Sequence, residues 1–268
     1  MIEVLRFLAL RAIPGLEDAG GGAYRRALRL EHGAGVMEVS PSGRRVRLDD
    51  ERDRAEAEAL CRRLLDLDAD TARIDADLER DPLLGELVRL RPGLRVPRTT
   101  DGFELAVRAI AGQQVTLAAA RRIGARLVAR YGHPLERPAG TVTHLFPTPA
   151  ALVEADPVEL GVPRVRAGAL GALAREVLEG RLDLGPGADR EATGRTLLAL
   201  PGVGPWTVAY VAMRALGDSD AFPPGDAGVR RALERLGRDG SPAAAQRLAE
   251  SWRPWRSYAL MHLWRSDS

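Results

Sequence analysis

Residues 200–207 read LPGVGPWT, and one helix length later the segment 220–226, DAFPPGD, ends in an acid, Asp226. Two glycines around Val203 allow a tight turn with positive φ and leave no side chain to hold off a ligand. Pro205 suits the first position of a helix, where its missing N–H costs nothing. The amides at that helix start lack intrahelical partners and favour an anion such as a phosphate. Before the turn, 196–200 reads as the apolar end of a helix. After it, Trp206, Ala209, Tyr210 and Met213 recur at three- and four-residue steps. A helix over 205–216 would be about 18 Å long. The reading is a helix–hairpin–helix followed by a carboxylate. A Pro-Gly-x-Gly-Pro turn also joins helices that bind nothing, so the flanks carry the argument.

Outward from this segment, nearly everything from Phe103 onward has helical period: 103–130, 149–155, 164–179, 191–199, 205–216, 227–236, 243–252 and 255–264. Loops with Pro or Gly are expected at 132–148, 180–188 and 218–225. Upstream, alternation suggests strands over 3–12 and 24–49, with Pro41-Ser42-Gly43 turning between 36–39 and 46–48. Residues 51–67, with Leu60, Leu64 and Leu65, read as an amphipathic helix. The expected fold is α+β, mainly α. A small α+β domain over 1–75 precedes an all-helical domain over 76–268, and 91–102 is a loop.

Composition narrows the class. The chain has 268 residues and a formal charge of only +2, so nucleic-acid binding requires a local basic surface. All 39 basic residues are arginine, and there is no lysine. A single cysteine, Cys61, excludes a disulfide framework or a Cys₄ cluster, and the four histidines lack zinc-ligand spacing. No apolar run reaches membrane-spanning length, and Glu3 and Arg6 spoil a signal peptide, so a soluble cytoplasmic protein, monomeric by default, is expected.

LPGVGPWTVAYVAMR followed by DAFPPGD resembles the helix–hairpin–helix DNA glycosylase superfamily. WRPWRSYALMHLW at 252–264 narrows the resemblance to the alkylpurine branch, the 3-methyladenine DNA glycosylase II type. IAGQQVTLAAARRI at 110–123 and LRFLALRAIPG with AYRRAL at 5–28 extend it over nearly the whole chain. The resemblance implies excision of alkylated purines, such as 3-methyladenine and 7-methylguanine, from double-stranded DNA. It places Trp206 and Trp264 on either side of an extruded base, with Tyr210 lining the pocket. Gln114 takes the wedge position, where the best-known relative has an apolar residue, and Gly225 stands where that relative has a second carboxylate. Pro201, Gly202, Val203, Gly204 and Thr207 would hold the DNA strand. No cofactor is implied except a monovalent cation, Na⁺ or K⁺, on the backbone carbonyls of Leu198, Leu200 and Val203.

Cleaving a base from deoxyribose develops positive charge on the sugar, and a carboxylate there stabilises it and orients water. Asp226 is the candidate; it is equally placed to cap the helix that follows. Asp218 and Asp220 are weaker candidates. Strand-nicking relatives use a lysine directly after the hairpin, and this chain has Trp206 there. With no lysine anywhere, a Schiff base has no side-chain amine, so hydrolysis without strand cleavage is expected. All four tryptophans lie in the last quarter, with Tyr210, Phe222 and Tyr258. An alkylated, cationic base on such faces gains about 0.5–2 kcal/mol. Trp252 and Trp255 could equally pack the terminal helices together, and the Gln113-Gln114 pair could be buried and satisfied. Arg164, Arg166, Arg230 and Arg256 are candidate phosphate contacts. A damage-recognition protein without catalysis, and a glycosylase for hypoxanthine or uracil, remain open alternatives.

Overall fold

A computed structural model describes all residues except 157, 158, 160, 267 and 268. The chain opens with helix α1 (Ile2–Arg11) and a four-stranded antiparallel sheet in order β1 (Glu17–Asp18), β2 (Tyr24–Arg29), β3 (Ala34–Ser40) and β4 (Gly43–Leu48). Ser40 pairs with Gly43 across Pro41-Ser42, so the turn lies where those residues predict it. Alternation sends Tyr24, Leu28, Met37 and Val39 to one face and Ala27 and Val36 to the other, and both faces are buried.

Helices α2 (Arg54–Leu64), α3 (Thr71–Leu78) and α4 (Gly85–Leu90) follow, then α5 (Gly102–Ala111) and α6 (Leu117–Tyr131). A hairpin of β5 (His133–Ala139) and β6 (Val142–Leu145) leads to α7 (Pro149–Val153), α8 (Arg164–Leu178), α9 (Arg190–Ala199) and α10 (Pro205–Arg214). Helices α11 (Ala227–Arg235), α12 (Pro242–Ala249) and α13 (Arg256–Arg265) complete the described elements.

Two cores sandwich the sheet. One joins α1, the Tyr24 face and α2–α4 to residues of α11–α13, among them Leu233, Leu260 and Leu263. The other joins the Ala27–Val36 face to α5, α6, α8 and the α9–α10 hairpin. The amino-terminal elements therefore pack directly on the helices that follow the hairpin.

Three expectations are corrected. Residues 3–12 are not a strand: Val4, Phe7 and Leu8 are the buried positions of α1, a three- and four-residue step that outweighs the apparent alternation. The segment 103–130 is not one helix. It breaks at 112–116, where Gln114 has φ +55° and the Thr116 hydroxyl accepts from the Ala119 amide, starting α6 anew. The expected loop at 132–148 contains the β5–β6 hairpin, whose strands Pro134 and Pro138 disguise.

Candidate active site

The site begins at the bend between α9 and α10. Leu200 caps α9 in an extended conformation, and the Val203 amide donates to its carbonyl at 3.1 Å. Gly202 is exposed at φ +79°, a left-handed conformation that glycine adopts without a Cβ penalty. Pro205 occupies the first turn of α10, and the first intrahelical bond there runs from the Val208 amide to the Gly204 carbonyl. The Trp206 and Thr207 amides precede it with no intrahelical carbonyl to reach. Pro201 and Gly202 are exposed, whereas the Val203 and Thr207 side chains are buried. Thr207 could thus meet a strand only through its main chain. Gln113 Nε2 donates to the Gly202 carbonyl at 3.0 Å and to Thr207 Oγ1 at 3.2 Å, locking the bend to the end of α5. Neighbouring Gln114 is exposed at the loop tip, flanked by exposed Val115 and Leu117.

Asp226 is 8% exposed and caps α11. Its Oδ1 accepts from the Val229 amide at 2.9 Å and from Trp264 Nε1 at 2.8 Å, and its Oδ2 accepts from Trp206 Nε1 at 2.8 Å. All three donors are neutral, and among the described residues Asp226 forms no ion pair. Capping and a chemical role coexist in one side chain. Gly228 makes the arrangement possible: a Cβ there would lie 2.8 Å from Trp264 Cδ1 and 3.0 Å from Asp226 Oδ1.

The aromatic rings continue from these bonds. Trp206 stacks on Tyr210, one turn along α10, at 4.9 Å and 12°. Tyr210 and Trp264 are tilted at 47° with centroids 6.5 Å apart, and Trp264 stacks on Phe7 at 6.2 Å. Trp206 and Trp264 converge on opposite oxygens of one carboxylate. They line, with Tyr210, Asp226, Arg11 and Arg108, a cleft of about 420 Å³, within the usual range for small-molecule sites.

Other candidates lie elsewhere. Asp220 is held by Arg253 and Arg256, and Asp218 lies 3.6 Å from Arg190, so neither acid is brought to Asp226. The same pair makes Arg256 a structural arginine, while Arg164 and Arg230 are exposed and Arg166 is half-buried. Trp252 and Trp255 donate to Asp81 and Asp77 at 3.0 Å, bracing α13 against the α3–α4 region rather than entering the cleft. Leu198 lies in the last turn of α9 and Leu200 caps it, so their carbonyls belong to a helix end that attracts cations. No cluster of three or more His, Cys, Asp or Glu side chains able to hold a metal is found among the described residues. No helix is long and apolar enough to cross a membrane among them.

Sequence reasoning missed Phe7, Arg11, Arg108 and Arg214. Phe7 and Arg11 are one turn apart on α1, with the Arg11 guanidinium carbon 3.6 Å from the Phe7 ring centroid. That four-residue spacing is the signal a helical reading of 2–11 would have exposed. Arg108 joins Glu17 at 2.9 Å and Glu104 at 2.8 Å, and Arg26 joins Glu104 at 2.6 Å, in a buried cluster tying the sheet to α5. Burial alone would raise the Glu17 pKa, but Arg108 and Arg26, with the Tyr24 hydroxyl and Ile13 amide, hold it below the usual carboxylate value. Tyr210 follows the same logic: burial raises its pKa, Arg214 and Arg11 more than offset that, and the net direction is down.

Residues 1–101 match the AlkA N-terminal domain family, and 107–257 match the HhH-GPD superfamily base excision DNA repair protein family. The chain is 37% identical over 273 residues to DNA-3-methyladenine glycosylase 2 of Escherichia coli K12, covering 98% of this chain and 93% of that one. It is 47% identical over 265 residues to a probable bifunctional transcriptional activator/DNA repair enzyme AlkA of Mycobacterium tuberculosis. That match covers 97% of this chain but 53% of the relative, so the chain spans about half its length. A solved structure, the 3-methyladenine DNA-glycosylase from Archaeoglobus fulgidus, superposes with TM-score 0.84 at 25% identity, over 99% of this chain and 94% of that one.

Proposed function

Since the chain belongs to the HhH-GPD superfamily of base excision DNA repair proteins, in its AlkA-type alkylpurine branch, we propose that it hydrolyses the N-glycosidic bond of alkylated purines in double-stranded DNA. The observation that carries this reading is one buried carboxylate, Asp226, held by two indole N–H groups at the wall of an aromatic cleft. Water adds to C1′ of the deoxyribose, the bond to the base nitrogen breaks, and the base leaves with the electron pair. Asp226 faces the positive charge that develops on the sugar and accepts the proton of the attacking water. The alkylated base is already a good leaving group, so the site needs no strong acid beside it.

The hairpin would grip phosphates through the free amides of α10 and the bend Pro201–Gly204, giving salt-dependent binding without sequence preference. A base turned out of the stack costs a few kcal/mol, less for a damaged pair. Trp206, Tyr210 and Trp264 would receive it, and Gln114, exposed at the tip of the 112–116 loop, would fill the gap left behind. The carbonyls of Leu198, Leu200 and Val203 are hard oxygen donors at a helix end and would suit Na⁺ or K⁺, which would stiffen the bend. Without lysine, the reaction stops at an abasic site.

Duplexes carrying single lesions, incubated with the protein and then treated with alkali, test the reading. The expected result is free base and strands that break only after alkali. Direct nicking contradicts the hydrolytic part, and tight binding with no base released contradicts catalysis altogether.

A further inference from the structure

The mouth of the cleft carries an uncommitted charge. Of the residues lining the cavity, Val115, Leu117, Ala227 and Arg231 are exposed, so they mark its opening. Val115 and Leu117 belong to the loop tip and the start of α6. Ala227 and Arg231 lie one turn apart on α11, just beyond the Asp226 cap.

The other arginines of the wall are held. Arg108 donates to Glu17 and Glu104. Arg214 donates to the carbonyls of Pro97 and Arg98 at 2.6 and 3.0 Å and to the Tyr210 hydroxyl at 2.7 Å. Arg121 Nε donates to the Ala12 carbonyl at 2.8 Å, and Arg11 is held by the Phe7 carbonyl and the Tyr210 phenol. Arg231 makes no hydrogen bond or ion pair among the described residues. An unpaired arginine on an open surface is ordinary. This one stands at the entrance to a cleft, on the helix whose cap is the buried carboxylate.

We propose that Arg231 is a positioning residue that grips a phosphate flanking the extruded nucleotide and so sets its sugar against Asp226. A flanking phosphate is only a few covalent bonds from C1′, so a sugar facing Asp226 brings that phosphate to the opening. Along α11 the step from Asp226 to Arg231 is about 7.5 Å, a span that the nucleotide and an extended arginine side chain bridge together. Charge selects the same partner. The base is neutral or cationic, and the phosphodiester is the anion that DNA brings. A guanidinium fork matches two phosphate oxygens at once. The hairpin would grip a strand whether or not a base is turned out. Arg231, beside the carboxylate, meets its phosphate in the extruded state, so its loss should slow the reaction even when all the protein is bound. This inference rests on the excision reading above.

The test combines single-turnover base release at saturating lesion duplex with duplex affinity measured between about 50 and 200 mM salt. Arg231→Gln keeps a polar chain and removes the charge. Release should slow by about tenfold, the scale of one charge-assisted hydrogen bond. The slope of log affinity against log salt should become shallower by about one. Arg231→Lys should restore the slope and recover the rate only in part, because a point charge replaces the fork. Arg238→Gln removes the same charge from the exposed segment after α11 and should change neither quantity. An unchanged rate or slope in Arg231→Gln, or an equal effect from Arg238→Gln, overturns the role of Arg231 and leaves the excision reading standing. A wild-type protein that binds lesion duplexes and releases no base overturns the excision reading and this inference with it.

Discussion

The bend and acid at 200–226 and the first helix at 2–11 build one cleft from opposite ends of the chain, by different physics. At the bend the backbone itself is the device. Gly202 takes a left-handed φ, Pro205 starts a helix, and Asp226 caps the next one. On α1 the device is packing: Phe7 reaches the site by stacking on Trp264 and holds the Arg11 guanidinium against its ring. Devices of the first kind are written in local residue types. Those of the second exist only once residues 257 positions apart have met.

Breaking each device separately should give different signatures. The largest stability effect is expected on the packing side. Phe7→Ala leaves a cavity between α1 and Trp264, and should cost about 3–5 kcal/mol. Thermal or denaturant unfolding would measure it; a loss below about 1 kcal/mol would mean that α1 merely covers a site formed without it.

Acid should act next, and on the same side. His262 of α13 is 1% exposed, with Asp75 Oδ1 4.0 Å away. Burial lowers its pKa from 6.5 to about 4, only partly offset by the Leu87 backbone. On acidification the unfolded chain takes up the proton near 6.5 while the folded chain resists until about 4. Stability should therefore be complete above 6.5 and fall by about 3 kcal/mol on descending through that window. His262→Phe should flatten that part of the pH–stability curve; an unaltered slope would place the titration elsewhere.

Gly202→Ala should be the mildest to the fold, about 1–2 kcal/mol for a Cβ at positive φ, because the space around it is open apart from Val165 at 3.6 Å. Its signature should be weaker duplex binding measured by fluorescence anisotropy. Unchanged affinity would remove the bend from the DNA interface.

Legibility follows the same division. The β3–β4 hairpin was announced by Pro41-Ser42-Gly43, and the helix–hairpin–helix by its glycines and prolines. The start of α6 was not, since Thr116 caps it inside an otherwise continuous helical pattern. Residues 3–12 suggest a strand because Leu, Ala and Val fit either period over ten positions, although Val4, Phe7, Leu8 and Arg11 keep a helical step. Of the site, Asp226, Trp206, Tyr210 and Trp264 come together as one cluster, and their local motif raised them. Arg11, Arg108 and Arg214 looked like ordinary arginines among 39 basic residues. What sets them apart is burial beside a cavity, and no local pattern encodes that.

The most direct measurement is single-turnover base release by Asp226→Asn alongside its duplex affinity. Asparagine keeps an oxygen for the Val229 amide and so should preserve the helix start while removing the charge. The account predicts release slowed by about a hundredfold or more with affinity retained. Release at the wild-type rate would contradict it.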